Sequence, residues 1–218
     1  MRPFLQLLNA TALVVVASGA ACKNDSGVTG PTPLEGQYKG AVAGESGPSL
    51  SASLALTVAP SATGTITPVG AAPITVTGTY VASTKAVALS GGGYTIAGTI
   101  DGTGKLLGTY THSTTQGSVV AYQHTAANPV TVYCGTYTGD ADGIWNTLIR
   151  GSSLSGVYDN VDGSDGYFTG TVSGSSVSVT EISASPGGTA TGTISGTTLS
   201  GTWSGPGFGG TWTSDATC

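Results

Sequence analysis

The residues in this 218-residue chain best suited to chemistry are carboxylates, histidines, aromatics and cysteines. The densest polar cluster is Asp159-Asn160-Val161-Asp162-Gly163-Ser164-Asp165-Gly166, with Asp140 and Asp142 in a second loop. Closely spaced carboxylates around a glycine can wrap Ca²⁺, which makes Asp159, Asp162 and Asp165 candidate metal ligands. Their spacing is not that of an EF-hand loop, and no distal glutamate follows. Asp and Gly are also the ordinary residues of hairpin turns, and that is the competing assignment. The same carboxylates could serve as the acid and base of a glycosidase, so a glycan-acting hydrolase is one functional alternative. His112 and His124 lack close-spaced partners for zinc and read as loop histidines. Gly102-Thr103-Gly104-Lys105 lacks the first glycine of a phosphate loop and has Leu106 where Ser or Thr is required, so it reads as a hairpin turn. There is no Gly-x-Ser-x-Gly and no His-Glu-x-x-His. These observations assign no catalytic residue and no cofactor.

The three tryptophans and nine tyrosines are the remaining candidates. A barrel of sufficient width can hold a small apolar ligand, as lipocalins and streptavidin do. Trp145, Tyr158, Trp203 and Trp212 are therefore candidate ligand contacts, with a place in the core as the alternative. Trp145-Asn146 together with Leu154-Ser155-Gly156-Val157-Tyr158 resembles the avidin pattern of a tryptophan followed by a Gly-x-Tyr strand, over about twenty residues. That resemblance implies a small-ligand carrier. Runs of five to seven residues, however, suggest barrels too small for an internal cavity.

The N-terminus opens with Met1-Arg2-Pro3, continues in an apolar stretch from Phe4 to Val16, and ends in Ala17-Ser18-Gly19-Ala20-Ala21-Cys22. One positive charge, a short apolar core and small residues before a cut site make a secretory signal over residues 1–21. The stretch falls short of the ~20 apolar residues that span a bilayer as a helix. An ordinary signal peptidase could cut after Gly19 or Ala21. Alternatively, Gly19-Ala20-Ala21-Cys22 resembles the lipobox of bacterial lipoproteins, departing from it at Gly19. The resemblance implies that Cys22 becomes residue one and carries a lipid, with palmitate among its acyl chains. It also implies that Lys23 after the cysteine is compatible with the outer membrane. Cysteine count favours the lipobox: with three in an exported chain, one is left over. Cys134 and Cys218 can pair. Cys22 is followed by a polar, Pro/Gly-rich tether over residues 22–34.

Composition narrows the class. Only 8% of residues are charged, against a usual ~25%. The net charge of −5 and the absence of any Lys/Arg cluster exclude a nucleic-acid partner. Disorder is disfavoured because 39% of residues are hydrophobic and they alternate with polar ones.

That alternation sets the architecture. Ser53-Leu54-Ala55-Leu56-Thr57-Val58 and Tyr94-Thr95-Ile96-Ala97-Gly98-Thr99-Ile100 are runs of period 2, as half-buried strands require. Within such runs a unit of glycine, polar residue and large apolar residue recurs, as in Gly78-Thr79-Tyr80, Gly135-Thr136-Tyr137 and Gly201-Thr202-Trp203. Residues i and i+2 share a face. Each glycine thus sits beside a large inward side chain, and the polar residue between faces solvent. Small barrels alternate small and large interior residues in this way. Gly36-Gln37-Tyr38-Lys39-Gly40 returns as Gly135-Thr136-Tyr137-Thr138-Gly139, and Gly98-Thr99-Ile100 returns as Gly192-Thr193-Ile194, both at offsets in the nineties.

The fold expected is all-β: antiparallel up-and-down meanders forming small β-barrels, duplicated in tandem with about eight short strands per half. The expected halves are residues 35–123 and 132–218, joined by a linker over 124–131. A Cys134–Cys218 bond would tie the seam of the second half. The expected function is a non-enzymatic binding or structural module at the cell envelope. It meets the membrane through a lipid on Cys22, the outer membrane favoured over the inner, with a secreted form as the alternative. A membrane-spanning barrel is disfavoured, because the runs are shorter than the ~9–11 residues needed.

Overall fold

In the computed structural model, which describes residues 34–44, 50–183, 187–215 and 218, the period-2 runs form sixteen antiparallel strands, with no helix among the described residues. The export signal (1–21), Cys22 and all of the tether but Leu34 lie outside the described residues. The first eight strands are β1 (Gly36–Gly44), β2 (Leu50–Val58), β3 (Ser61–Pro68), β4 (Ile74–Val81), β5 (Ala86–Gly91), β6 (Tyr94–Ile100), β7 (Lys105–His112) and β8 (Thr115–Gln123). The second eight are β9 (Val130–Gly139), β10 (Gly143–Arg150), β11 (Ser153–Asn160), β12 (Asp165–Ser173), β13 (Ser176–Ile182), β14 (Thr189–Ser195), β15 (Thr198–Gly205) and β16 (Phe208–Asp215).

Each strand pairs with the next, and each set of eight closes into a barrel. β8 returns to β1 from Tyr38↔Gln123 to Ala43↔Ser118, and β16 returns to β9 from Gly210↔Gly139 to Asp215↔Cys134. The tandem pair of eight-stranded meanders is therefore the architecture of the chain. The expected disulfide is present: Cys134 and Cys218 are bonded with Cα atoms 5.1 Å apart, fastening the end of the chain to β9 beside the seam. Barrel 1 closes through its β1–β8 ladder without a bridge.

The glycines inside strands allow close approach. A Cβ on Gly78 would lie 1.9 Å from the Ala88 carbonyl oxygen, and one on Gly156 would lie 1.9 Å from Phe168 Cζ. Tight curvature of an eight-stranded barrel brings neighbouring backbones and rings into the space a side chain would need. Between β14 and β15 the turn glycine Gly196 has φ 62°, the left-handed geometry of a two-residue hairpin turn.

The two interiors differ in kind. Barrel 1 is filled mainly by aliphatic side chains such as Leu54, Ile66, Ile96, Ile100 and Leu106, with Tyr38 and Tyr110 among them. Barrel 2 holds all three tryptophans together with Tyr133, Tyr137, Tyr158 and Phe168. On the outside, hydroxyls line up across strands. Thr57, Thr63, Thr77, Ser90, Thr95 and Thr111 are successive cross-strand partners on barrel 1. Ser153, Thr171, Ser178, Thr191, Thr202, Thr211 and Thr138 form the equivalent row on barrel 2.

Three expectations are corrected. First, outward residues do not all face solvent. Outward Ala41, Ala43, Val120 and Tyr122 of barrel 1 are buried against Val130, Ile144, Leu148 and Val157 of barrel 2. Strands β1, β8, β10 and β11 thus bury both faces over much of their length, and a strand covered on both sides carries apolar residues without strict alternation. Second, the linker is shorter than 124–131, because Val130 and Thr131 already pair with Arg150 and Ile149 in the β9–β10 ladder. Third, strands run from 6 to 10 residues rather than five to seven.

Asn146 is the polar centre of the contact between the barrels and is fully buried. Its Nδ2 donates to the Val42 carbonyl at 2.8 Å, and its Oδ1 accepts from the Ser51 hydroxyl at 2.8 Å and from the Gly135 N–H at 3.1 Å. The β9–β10 ladder skips Trp145 and Asn146. The Asn146 amide and the Ser214 hydroxyl, which donates to the Trp145 carbonyl at 2.9 Å, supply the bonds missing there. Buried backbone groups need such partners, so a side chain takes over where a ladder lapses. At one edge of the contact the Arg150 guanidinium lies 4.3 Å from the centre of the Tyr122 ring, and its Nη1 donates to the Thr103 carbonyl at 3.0 Å.

Candidate functional site

In an up-and-down barrel alternate connections fall at the same end. For barrel 2, one end collects the connections β9–β10, β11–β12, β13–β14 and β15–β16. The aromatic residues nearest this end come from the starts and finishes of their strands: Tyr137 from β9, Trp145 from β10, Tyr158 from β11, Trp203 from β15 and Phe208 from β16. With Ala141, Asn160, Ile182 and Gly188 they line a cavity of about 90 Å³. Such a space holds several waters, at roughly 10–15 Å³ of probe-occupied volume each. It is well below the roughly 300–1,000 Å³ of pockets that take drug-sized molecules. The cavity corrects the expectation that a barrel of this size leaves no internal space.

The rings hold one another. Trp145 stacks on Phe168 with centroids 3.9 Å apart and planes 11° apart, and Trp212 lies 5.8 Å away at 30°. Tyr137 meets Trp145 edge-on at 6.0 Å and Trp203 at 5.7 Å. Trp203 in turn is 5.8 Å from Phe208. Edge-to-face and offset pairs of this kind are favourable beyond the area they bury. The Tyr137 hydroxyl donates to Asn160 Oδ1, and Asn160 Nδ2 donates to Ser164 Oγ at 2.5 Å. Burial pushes the Tyr158 hydroxyl above the ordinary tyrosine range, so it stays protonated.

Of the four aromatic residues singled out from sequence, Trp145, Tyr158 and Trp203 line the cavity. Trp212 stands behind Trp145 in the core. Sequence reasoning missed Tyr137, Asn160 and Phe208. Tyr137 belongs to a recurrent Gly-Thr-Tyr unit, and Phe208 follows the Gly205-Pro206-Gly207 turn, where a large apolar residue at a strand's first position points to a barrel mouth.

The carboxylates do other work. Asp159 and Asp165 are cross-strand partners at the ends of β11 and β12. Asp159 is buried, whereas Asp165 is exposed and accepts a hydrogen bond from Ser118 of barrel 1. Asp162 sits in the turn, where the Ser164 N–H and hydroxyl bond its Oδ1 at 3.1 and 2.8 Å and hold its carboxyl below the usual range. Asp140 accepts from the Gly209 N–H at 2.8 Å, and Asp142 from the Gly139 N–H at 3.1 Å. Among the described residues no three His, Cys, Asp or Glu side chains lie close enough to hold a metal ion. The proposed calcium ligands Asp159, Asp162 and Asp165 are thus not brought together around one centre. The reason is register, which places Asp159 under the neighbouring barrel and leaves Asp162 to cap its own turn.

The histidines serve structure as well. His112 stacks on Tyr94 at 4.1 Å, and His124 Nδ1 accepts the Val130 N–H at 2.9 Å in the connection between the barrels. Burial, with Lys39 nearby, lowers the His124 pKa and favours the neutral ring that this acceptor role requires. Three larger hollows, of about 410, 350 and 490 Å³, are open grooves on the outside, the last along Thr180, Thr189 and Ser204. The first lies over β1–β4 and the second between Lys39 and β9, beside Cys218. No protein-family model matches the chain, and no curated protein matches it.

Proposed function

We propose that the chain is an exported, non-enzymatic binding module, held at the cell envelope by a lipid on Cys22, whose second barrel seats a small apolar ligand in its aromatic mouth. One observation carries the reading: five aromatic side chains from five strands converge on a cavity of about 90 Å³ at one end of barrel 2. Concave, mostly apolar sites with a few polar groups are the usual form of a ligand pocket. Hydrolysis is less well supported, because no carboxylate or histidine is among the described residues that line the cavity. Barrel 1, with its aliphatic core, acts as a brace through the Asn146 contact. The rows of outward threonine and serine favour a barrel standing in water, since a membrane barrel needs an outward apolar band. Export and anchoring rest on residues 1–22, and pairing of Cys134 with Cys218 leaves Cys22 as the odd cysteine.

Benzene is the simplest probe. Its titration is expected to change tryptophan fluorescence saturably. Ala141→Leu, which fills the cavity from a loop position, is expected to weaken binding at least tenfold with little change in unfolding temperature. No saturable response in the unaltered chain would remove the binding reading. For the anchor, mass spectrometry of the mature N-terminus is expected to find acyl chains on Cys22. An unmodified Cys22 at the mature terminus, or one in a disulfide, would contradict it.

A further inference from the structure

The β13–β14 ladder stops short of the cavity end of barrel 2. The two strands are partners from Ser176↔Thr193 only as far as Val179↔Ala190. β13 nevertheless runs on to Ile182, held on its other side by β12 through Thr169↔Glu181 and Phe168↔Ile182. The register shift between Thr169 and Gly170 makes Thr180 the extra residue of a β-bulge. A bulge bends its strand, and this one does so where β13 and β14 part. Beyond Val179 and Ala190 the space between the strands is crossed by a side chain. A Cβ on Gly188 would lie 3.4 Å from Ile182 Cδ1, so Ile182 reaches over to the Gly188 backbone. Ile182 and Gly188 line the aromatic cavity, and both also line the outer groove of about 490 Å³. One side chain, rather than a ladder of backbone hydrogen bonds, stands where the two spaces meet.

The groove differs in character from the cavity. Thr189 and Ser204 are cross-strand partners, and their neighbours Ala190 and Trp203 face the core, so alternation places both hydroxyl residues outside. Thr180 is exposed as well. No charged side chain is among the described residues that line the groove. We infer that cavity and groove are two halves of one site, a step that rests on the binding reading above and adds the ligand's chemistry to it. The ligand is an apolar ring seated among the aromatic residues and joined, past Ile182, to a neutral hydroxyl-bearing chain along Thr180, Thr189 and Ser204. An aryl glycoside has this form. Because Gly188 carries no side chain, a turn of Ile182 is enough to join the two spaces. Threonine and serine hydroxyls both donate and accept, which suits a sugar or polyol. An alkyl tail is the rival occupant of the groove. It is less well matched, because Ile182 is the one aliphatic residue among the described residues lining it.

Benzene, glucose and phenyl β-glucoside separate the two halves. Each is titrated into the full-length chain and followed in ¹⁵N–¹H spectra. Benzene is expected to move indole resonances and leave the Gly188 and Gly205 amides in place. Phenyl glucoside is expected to move indoles and both glycine amides together, and to bind about tenfold more tightly than benzene, the worth of one or two added hydrogen bonds. Glucose alone is expected to move neither set. Thr180→Val combined with Ser204→Ala removes two exposed hydroxyls. It is expected to weaken phenyl glucoside about tenfold and leave benzene affinity within about twofold. Ala141→Leu, which fills the cavity, is expected to weaken both ligands. Phenyl glucoside that binds no more tightly than benzene, or that moves the indoles without the glycine amides, would overturn the inference and leave the cavity as an apolar site alone. Glucoside binding that survives Ala141→Leu would overturn it by placing the ligand elsewhere. Tighter binding of butylbenzene than of phenyl glucoside would overturn it in favour of an alkyl chain. Binding of none of these probes would remove the binding reading itself, and the inference with it. If a variant does not fold, the joint movement of indole and glycine resonances in the unaltered chain decides alone.

Discussion

Asn146→Ala is expected to destabilise the chain by about 3–4 kcal/mol, because it strands buried groups in both barrels at once. The Asn146 amide is fully buried and links Val42 and Ser51 of barrel 1 with Gly135 of barrel 2. Removing it leaves the Gly135 N–H without its acceptor and the Val42 carbonyl without this donor, each at a cost of about 1–3 kcal/mol where water cannot enter. The Ser51 hydroxyl sits in a partly buried bond and recovers some of its loss from solvent. Asn146→Asp is expected to fare no better at neutral pH, since a carboxylate has no N–H for the Val42 carbonyl and adds a buried charge. Ser214→Ala is the scale for comparison. It removes one bond, to the Trp145 carbonyl, and is expected to cost about 1 kcal/mol. Urea unfolding measures all three. An Asn146→Ala midpoint within experimental error of the unaltered protein would show that the amide is not the link between the barrels.

Loss of the Cys134–Cys218 bond is the second large effect. The bond closes a loop with a sequence separation of 84. For that length the chain-entropy account gives about 4–5 kcal/mol, and removal of native disulfides typically costs about 2–5. The seam it guards retains six backbone partner pairs from Gly210↔Gly139 to Asp215↔Cys134. Double replacement by serine is therefore expected to yield a folded but weaker protein, less stable by about 4 kcal/mol. The loss should not be uniform. Amide exchange is expected to quicken most in β9 and β16, and least in β1 and β8, whose seam has no bridge to lose. Unchanged stability on reduction would mean that the ladder alone closes the second barrel.

The barrels themselves were legible because their curvature is written locally. Gly-Thr-Tyr and its variants place a small and a large residue on the inward face and a hydroxyl outside, and each unit reports this without knowledge of the rest of the fold. The contact between barrels was not legible in the same way. Trp145-Asn146-Thr147 carries buried residues on both faces, and nothing local says which outward face meets a neighbour. The signal was present in the breaks of alternation, Ala41-Val42-Ala43 and Val119-Val120-Ala121-Tyr122, where no polar residue intervenes. The carboxylates misled for the opposite reason. Asp159, Asp162 and Asp165 are close in sequence, but register places one under barrel 1, one in a turn and one at a strand end. The aromatic residue types pointed to a binding surface, and Trp145, Tyr158 and Trp203 do meet. Their convergence with Tyr137 and Phe208 depends on closure of β16 onto β9, which no local pattern encodes.

Barrel 1 is filled mainly by aliphatic side chains, whereas barrel 2 keeps an aromatic-lined cavity at one end. A crystal of the protein held under xenon tests that difference most directly, because xenon enters apolar cavities without needing a particular ligand. The account expects a bound xenon among Trp145, Trp203 and Phe208 at the mouth of barrel 2, and none within barrel 1. An empty mouth in barrel 2, or xenon of equal occupancy in barrel 1, would contradict it.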